Sequence, residues 1–208
     1  MFRDLKSIKS RDPAARNVFE IIFLYSGFHA LMFYRASHFF HKIHLKFIAR
    51  LISQLGKFFT GVEIHPAAKI GRGLFIDHGT GIVIGETAEI GDNCTLYQGV
   101  TLGGTGKDTG KRHPTLANNV LVGAGAKVLG PFRVGNNVKI AAGAVVLSEI
   151  PDDCTAVGVP ARIVKRDGVR EEMDQIHVPD PISQQFCRMQ HEIEELKKQI
   201  EQLKGEKE

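Results

Sequence analysis

The feature that most constrains the fold of this chain is an aliphatic residue at every sixth position over much of its length. Thirteen residues follow this spacing, with a two-residue slip after the third and a longer interruption after the seventh: Ile64, Ile70, Ile76, Ile84, Ile90, Leu96, Leu102, Leu116, Val122, Val128, Val134, Ile140 and Val146. A six-residue period matches neither the turn of an α-helix nor the alternation of a β-strand. It is typical of a parallel β-helix, in which each hexad forms one short strand and one corner. Hexads close a coil in threes, so the repeat predicts about four stacked coils.

Residues between the repeat positions fit the corners of such a helix. Glycine often follows the aliphatic residue directly, where it can form the bend. Small or apolar residues often lie four positions after the aliphatic residue: Ala68, Thr80, Ala88, Val100, Ala126 and Ala144. The pattern therefore combines aliphatic side chains for the interior with small residues for the turns.

The repeat divides the chain into three regions and predicts an α+β fold class. Residues 1–60 are an N-terminal helical region, where the apolar spacing predicts two or three helices with a break near residues 26–27. Residues 61–166 are the β-helix. Residues 167–208 are a polar, proline-bearing linker followed by a heptad pattern, which predicts a short C-terminal coiled-coil helix. We expect so short a seam to associate only within an oligomer that already holds its strands together.

Composition narrows the possible functions. The formal net charge of +4 suits a small polyanionic ligand, but the chain lacks the dense basic stripe expected for nucleic-acid binding. The three cysteines are far apart and fit neither a disulfide framework nor a zinc motif, which favours a reducing compartment. No secretory signal is evident at the N-terminus, and the longest uncharged run, 21–34, is shorter than a membrane span. These observations predict a cytoplasmic protein that does not enter a membrane.

Charged side chains at the corners of the repeat are its most informative exceptions. Asp77 and His78 are adjacent at the third hexad, and Glu63 lies about one coil earlier, so we expect Glu63 within hydrogen-bonding reach of His78. A carboxylate that holds one ring nitrogen leaves the other free to accept a proton, as a general base must. The alternative for His78 is a solvated turn histidine without a catalytic role.

A loop with the sequence GGTGKDTGKRHP interrupts the repeat and is a second candidate for function. Long excursions from a regular solenoid are usually functional surface loops. This loop carries Arg112 and His113 near its end, a cationic pair suited to holding a carboxylate. A phosphate-binding P-loop is the alternative, but the segment has the wrong spacing and does not connect a strand to a helix.

Several segments together resemble the serine O-acetyltransferases of the hexapeptide-repeat acyltransferase superfamily. They are SRDPA, GFHALMFYR, DHGTG, GGTGKDTGKRHP and AVGVPARIV, and the resemblance extends from about Arg11 to Arg166. It implies a left-handed β-helix, trimers with acetyl-CoA in the groove between neighbouring subunits, and no metal. Members with longer helical heads pair two trimers, so the resemblance implies a homo-oligomer that is a trimer or a dimer of trimers.

The implied reaction transfers acetyl from acetyl-CoA to the hydroxyl of L-serine and gives O-acetyl-L-serine for cysteine biosynthesis. In it His78 removes the hydroxyl proton, and Glu63 stands where many members have an aspartate. Asp12 and Asp77 bind the serine ammonium group. Arg112 and His113 bind its carboxylate.

The resemblance also suggests how acetyl-CoA is held. Backbone amides near Gly104 and Ala124 meet the thioester and its oxyanion, and Ala142 flanks the pantetheine. Lys139 and Lys165 are further candidates, which we choose for the CoA phosphates.

Two partners follow from the same resemblance. L-Cysteine is a feedback inhibitor that competes at the serine pocket. Many members bind O-acetylserine sulfhydrylase through a terminal isoleucine, but this sequence ends LKGEKE. A complex with that enzyme is therefore not expected.

Three alternatives to serine acetylation remain open. A sugar acetyltransferase would share the fold, although two acidic groups and an Arg-His pair suit a zwitterion better than neutral hydroxyls. A zinc hydratase of the carbonic anhydrase kind would use His65, His78 and His113 as ligands, but carboxylates and an arginine lie beside them in the sequence. A purely structural trimer would not bind acetyl-CoA.

Overall fold

A helical head precedes a stack of short strands. The computed structural model describes residues 2–106 and 109–165. Across these residues the helices are α1 (Phe2–Arg11), α2 (Val18–Leu24), α3 (Ser26–Lys42) and α4 (Lys46–Thr60), and none of the four could cross a membrane. The strands are β1 (Glu63–Ile64), β2 (Lys69–Ile70), β3 (Phe75–Ile76), β4 (Val83–Ile84), β5 (Glu89–Ile90), β6 (Thr95–Leu96), β7 (Thr101–Gly103), β8 (Thr115–Leu116), β9 (Leu121–Val122), β10 (Lys127–Leu129), β11 (Arg133–Val134), β12 (Lys139–Ile140), β13 (Val145–Val146), β14 (Cys154–Val157) and β15 (Arg162–Lys165). The linker and coiled-coil helix predicted for 167–208 lie outside the described residues.

The strands form three parallel sheets, one on each side of a three-sided coil. The first sheet has the order β1-β4-β7-β10-β13, and the second has the order β2-β5-β8-β11. The third has the order β3-β6-β9-β12-β14, to which β15 adds in antiparallel orientation. From β1 to β10, each strand pairs with the strand three places later in the chain, as expected for hexads that close a coil in threes. The predicted α+β class with a parallel β-helix is confirmed.

The repeat positions form the interior of the stack. All thirteen have between 0 and 8% of their surface exposed, and burying one such side chain contributes about 1.5–3 kcal/mol. Most of the small residues four positions later are buried as well. Thr80 is exposed, however, and Ile82 is fully buried in its place. The two-residue slip explains the difference, because it lengthens the corner between β3 and β4.

The helical head contains one helix more than the sequence predicts. Helices α2, α3 and α4 occupy the apolar stretch, with the first break at Tyr25, next to the predicted position. The unpredicted helix α1 has ten residues and is too short to be stable alone. Its Asp4 Oδ1 accepts a hydrogen bond from the Gly73 amide at 2.7 Å, and Ser7 Oγ donates to the Gly73 carbonyl at 2.8 Å. Tertiary contacts that local spacing does not reveal therefore stabilise α1.

Helix α3 fixes the head to the first coil. The Tyr34 hydroxyl is buried and donates to the Ala68 carbonyl at 2.7 Å. At Gly27, an added Cβ would lie 2.2 Å from the carbonyl oxygen of Ile76, so only glycine permits this approach. The contact sets the start of α3 directly against the corner that follows β3.

Candidate active site

The corner between β3 and β4 presents the acid–imidazole pair. His78 has a left-handed backbone conformation with φ 56°, and two left-handed glycines follow it, Gly79 and Gly81, each with φ 77°. Such a conformation costs a non-glycine residue about 1–2 kcal/mol and is often found at functional sites. The His78 side chain is 73% exposed, that of Asp77 is 25% exposed, and Nε2 of His78 lies 3.8 Å from Oδ1 of Asp77. The corner thus turns the imidazole outward beside a half-buried carboxylate.

Asp12, just after α1, brings a second carboxylate to this corner. Its Oδ2 accepts a hydrogen bond from the Tyr25 hydroxyl at 2.6 Å, and its Oδ1 accepts one from the Ala14 amide at 2.8 Å. Burial raises the pKa of Asp77, the nearby His78 lowers it, and the negative charge of Asp12 raises it further. Asp12, Asp77 and His78 are therefore neighbours, and two carboxylates beside an imidazole can hold an ammonium group.

Glu63 does not make the predicted contact with His78. Its carboxylate accepts a hydrogen bond from Lys57 Nζ at 2.6 Å and lies 3.8 Å from Arg50 Nη2, both on α4. Within the described part of the chain, no hydrogen bond or ion pair joins Glu63 to His78. The predicted contact between Glu63 and His78 assumed a first coil that is shorter than the observed one. The slip lengthens this coil, so that Glu63 is in register with Val83.

The interrupting loop returns to the β-helix at the corner between β4 and β5. There the Thr87 hydroxyl accepts hydrogen bonds from the amides of Arg112 and His113, at 3.0 and 3.1 Å. The Arg112 guanidinium donates to the Glu86 carboxylate, and this hydrogen bond lowers the pKa of Glu86. Thr87 and Glu86 therefore position the two cationic residues predicted from the loop.

The tautomer of His113 follows from its hydrogen bonds. Nδ1 lies 2.8 Å from the Thr87 hydroxyl and 3.2 Å from the Thr87 amide nitrogen. A backbone N–H can only donate, so Nδ1 is the acceptor and the neutral ring carries its proton on Nε2. Burial, and then the positive charge of Arg112, lower the pKa of His113. The ring is thus a neutral donor whose Nε2–H points away from Thr87 and suits a carboxylate.

The two groups of residues lie at opposite ends of β4. Asp77 and His78 precede this strand, whereas Thr87 follows it and holds the end of the loop. No hydrogen bond or ion pair within residues 2–106 and 109–165 joins one group to the other. A single chain therefore supplies two half-sites, one acidic with an imidazole base and one cationic.

Small residues occupy the upper coils of the same edge of the β-helix that carries His78. Ala124 and Ala142 occupy the same corner in higher coils, and the Gly143 amide donates to the Ala124 carbonyl at 2.8 Å. A Cβ added at Gly125 or Gly143 would meet nothing within 4 Å. The coil directly above His78 carries Tyr97 and the exposed Gln98 at this corner. Successive coils lie about 4.8 Å apart, so the open strip of small residues begins at Ala124, two coils above His78.

The remaining acetyl-CoA candidates lie elsewhere. Gly104 is at the start of the loop, where an added Cβ would lie 3.1 Å from the carbonyl of Arg112, so it belongs to the cationic half-site. Lys139 is on β12 in the third sheet. The backbone of Lys165 ends β15, and its side chain lies outside what the structure describes.

The histidines considered as zinc ligands do not converge within one chain. His65 Nδ1 accepts a hydrogen bond from the Ala67 amide at 3.1 Å, and burial lowers the pKa of His65. His65 lies near His113, whereas His78 is at the other end of β4. In the described parts of the chain, no three histidines, cysteines or carboxylates are placed to hold a metal ion.

Three residues of these half-sites were not predicted: Tyr25, Glu86 and Thr87. Tyr25 meets Asp12 only because α1 and α2 pack side by side, and no sequence motif links them. Thr87 follows Gly85-Glu86 at an ordinary repeat corner, where threonine is unremarkable as a turn residue. Its one available signal is the loop itself, which had to return to a neighbouring corner.

Comparison with known proteins agrees with this architecture. The family model described as bacterial transferase hexapeptide (six repeats) matches residues 113–148. A serine acetyltransferase of Bacillus pumilus is 53% identical over 207 residues, which cover 99% of this chain and 95% of that protein. A serine acetyltransferase of Helicobacter pylori is 63% identical over 163 residues, which cover 78% of this chain and 95% of that protein.

Solved structures of serine acetyltransferases share the fold. That of Neisseria gonorrhoeae in complex with serine is 44% identical with a TM-score of 0.76, and the match covers 78% of this chain and 66% of that one. A complex with cysteine is 46% identical with a TM-score of 0.77, covering 78% and 67%. A complex with CoA is 44% identical with a TM-score of 0.74, covering 77% and 66%. With a curated relative matched over almost its whole length, this chain belongs to the serine acetyltransferase family.

Proposed function

We propose that this chain transfers the acetyl group of acetyl-CoA to the hydroxyl of L-serine, with His78 as the general base. The observation that carries the proposal is the outward imidazole of His78 beside the carboxylate of Asp77, which in turn has Asp12 as a neighbour. Family members solved with serine and with CoA support the same pair of substrates. The products are O-acetyl-L-serine and CoA, as cysteine biosynthesis requires.

The acidic half-site would bind and activate the amino alcohol. Asp12 and Asp77 hold the ammonium group, with the Tyr25 hydroxyl fixing the Asp12 carboxylate. This places the serine hydroxyl at His78, which removes its proton as the oxygen attacks the thioester carbon. The tetrahedral intermediate then collapses, the carbon–sulfur bond breaks, and the protonated His78 returns the proton to the CoA thiolate.

The cationic half-site would bind the serine carboxylate. His113 offers Nε2–H as a neutral donor, and Arg112 adds a positive charge that Glu86 holds in place. Backbone amides near Gly104 and Ala124 would stabilise the oxyanion, and such a donor is typically worth about 3 kcal/mol of barrier lowering. The strip of small residues that includes Ala142 would carry the pantetheine, with Lys139 and Lys165 toward the phosphates.

Because the half-sites lie on different corners, we propose that each complete pocket combines two chains of a homotrimer. One chain would supply His78 and its carboxylates, and its neighbour would supply Arg112 and His113. The helical head also exposes large apolar side chains that further association would cover, in a dimer of trimers or another assembly: Phe19, Phe23, Leu24, Phe47, Phe58 and Phe59.

Glu63 would serve as a second carboxylate partner of the His78 imidazole. In this chain Lys57 and Arg50 hold it, so it would have to exchange Lys57 for the imidazole when the substrates bind. Asp77 is the nearer carboxylate and is primarily a ligand of the serine ammonium group.

L-Cysteine would bind the same pocket and inhibit the enzyme. It shares the ammonium and carboxylate groups that Asp77 and His113 would recognise, and a family member has been solved with cysteine. The buried free thiols of Cys94 and Cys154 support a reducing compartment such as the cytoplasm.

The proposal is tested by following CoA thiol release with L-serine, a galactoside and maltose as acceptors. We expect turnover with serine alone. Replacement of His78 by alanine should lower kcat by about 10²–10⁴ while the chain still folds, because proton transfer is lost. Activity on a sugar but not on serine would overturn the proposal, and so would activity that depends on stoichiometric zinc.

A further inference from the structure

A cleft of about 690 Å³ separates the end of α3 from the second coil of the β-helix. The turn between α3 and α4 forms one wall, and the end of the interrupting loop forms the other. This volume lies within the range of about 300–1,000 Å³ that is usual for small-molecule sites. None of the roles assigned above to the acetyl-transfer site uses the side chains of this cleft as substrate contacts.

The lining of the cleft carries surplus positive charge. Four lysines and two glutamates face it: Lys42, Lys46, Lys69, Lys111, Glu86 and Glu89. Glu89 Oε1 lies 3.1 Å from Lys69 Nζ and 3.7 Å from Lys111 Nζ, and Glu86 is paired with Arg112. Among the residues that the structure describes, Lys42 and Lys46 form no ion pair. Both carboxylates are therefore already neutralised, and two ammonium groups are left over.

The backbone at the same wall also favours an anion. Helix α4 begins at Lys46 with no side-chain cap on its N-terminus and no acidic residue in its first turn. The amide groups of such a helix start carry partial positive charge. His44, which precedes α4 and lines the cleft, has a left-handed φ of 64°. This conformation is strained for a non-glycine residue, and strain of this kind is concentrated at ligand-binding turns.

We propose that this cleft binds a small anion with two or more negative charges, of the phosphate or polycarboxylate class. Lys42, Lys46 and the start of α4 contact it from one wall, and Lys111 contacts it from the other. His41 and His44 lie at the same wall as the first pair and can donate further hydrogen bonds.

The anion site is linked to the cationic half-site through Thr87. Lys111 Nζ donates to the Thr87 carbonyl at 2.8 Å, and the Thr87 hydroxyl holds the amides of Arg112 and His113. An anion that draws Lys111 into the cleft competes with this carbonyl and shifts the loop. Binding of the anion then changes the affinity for serine, and serine changes the affinity for the anion by the same factor.

Calorimetric titration of the full-length protein with pyrophosphate and with citrate tests the site directly. Saturating CoA is present throughout, so that neither probe can occupy the CoA phosphate site. The cleft variant is Lys42→Gln/Lys46→Gln. Its matched control is Lys6→Gln/Lys9→Gln on α1, which removes the same charge from exposed positions outside the cleft. All four lysines are exposed, so both variants should fold.

We expect at least one probe to bind once per chain, and the cleft variant to bind it at least about tenfold more weakly, since two close ammonium groups are lost. The control should bind as the wild type does. Binding of one probe alone identifies the class of anion. No binding to the wild type, equal binding to the cleft variant, or an equal loss in both variants would each overturn the proposal. The coupling is rejected if a bound anion leaves the KM for serine unchanged.

Discussion

Replacing Thr87 by valine removes a single hydroxyl from the cationic half-site while keeping the shape of the side chain. That hydroxyl takes part in three hydrogen bonds, with the amides of Arg112 and His113 at 3.0 and 3.1 Å and with His113 Nδ1 at 2.8 Å. A methyl group in its place leaves both amides without this acceptor. It also leaves Nδ1 with the Thr87 amide as its one donor in this cluster.

The magnitude follows from these three bonds. Each neutral hydrogen bond contributes about 0.5–1.5 kcal/mol net. Loss of the three bonds therefore destabilises the ordered conformation of the loop end by roughly 1.5–4.5 kcal/mol. If about 2 kcal/mol of this is lost from the binding of the serine carboxylate, the KM for serine rises roughly thirtyfold. The value of kcat should change much less, because Asp77 and His78 lie at the other end of β4 and keep their geometry.

Initial rates at saturating acetyl-CoA with varied L-serine measure both quantities. Thr87→Ser is the matched control, because it keeps the hydroxyl and should restore a KM close to that of the wild type. Thermal unfolding of both variants checks that the β-helix is intact. If Thr87→Val and Thr87→Ser share the wild-type KM, Thr87 does not position Arg112 and His113 for serine.

Three further predictions concern the same half-sites. Gly85→Ala would put a Cβ 1.9 Å from the His113 ring. Denaturant unfolding should therefore show that the free energy of unfolding falls by about 1–3 kcal/mol, and steady-state rates should show a higher KM for serine. Wild-type values for both quantities would contradict this contact. Asp77→Asn removes a charge partner of the ammonium group, so the KM for serine should rise about tenfold while calorimetry shows unchanged acetyl-CoA affinity; a fall in kcat alone would argue against this role. Burial lowers the pKa of both His65 and His113 below 6.5, so the unfolded chain takes up protons first as the pH falls. This contribution to stability should therefore be fully present above about pH 6.5 and decline below it. A wild-type melting temperature that is flat from pH 7 to pH 5 would refute this. So would a melting temperature that declines just as steeply in His65→Gln/His113→Gln.

Most of the β-helix can be predicted because its signal is local and repeated. Each of the thirteen aliphatic positions from Ile64 to Val146 lies on a strand of a coil with its side chain in the interior. The same pattern is therefore repeated thirteen times in the sequence. Helix α1 has no such redundancy. It is short and is stabilised by Asp4 and Ser7 against Gly73, a contact that exists only once the first coil has formed.

The candidate site was predictable where the sequence breaks its own pattern. Asp77-His78 and Arg112-His113 are exceptions to a repeat of aliphatic residues and glycines. The structure places the first pair on an outward-facing corner and the second pair on the returning loop. Distances between coils were harder to infer. The slip between Ile76 and Ile84 changed the length of the first coil, and this separated Glu63 from His78.

The most direct test of the account is activity in hybrid trimers made from two defective chains, His78→Ala and Arg112→Ala. One chain lacks the base of the acidic half-site and the other lacks the cation that holds the serine carboxylate. Where neighbouring chains share each pocket, random mixing in equal amounts makes about a quarter of the pockets intact. We therefore predict that the mixture, assayed at serine concentrations well below the wild-type KM, recovers about a quarter of the wild-type rate. A mixture no more active than its two separate components would contradict a pocket built from His78 of one chain and Arg112 of the next.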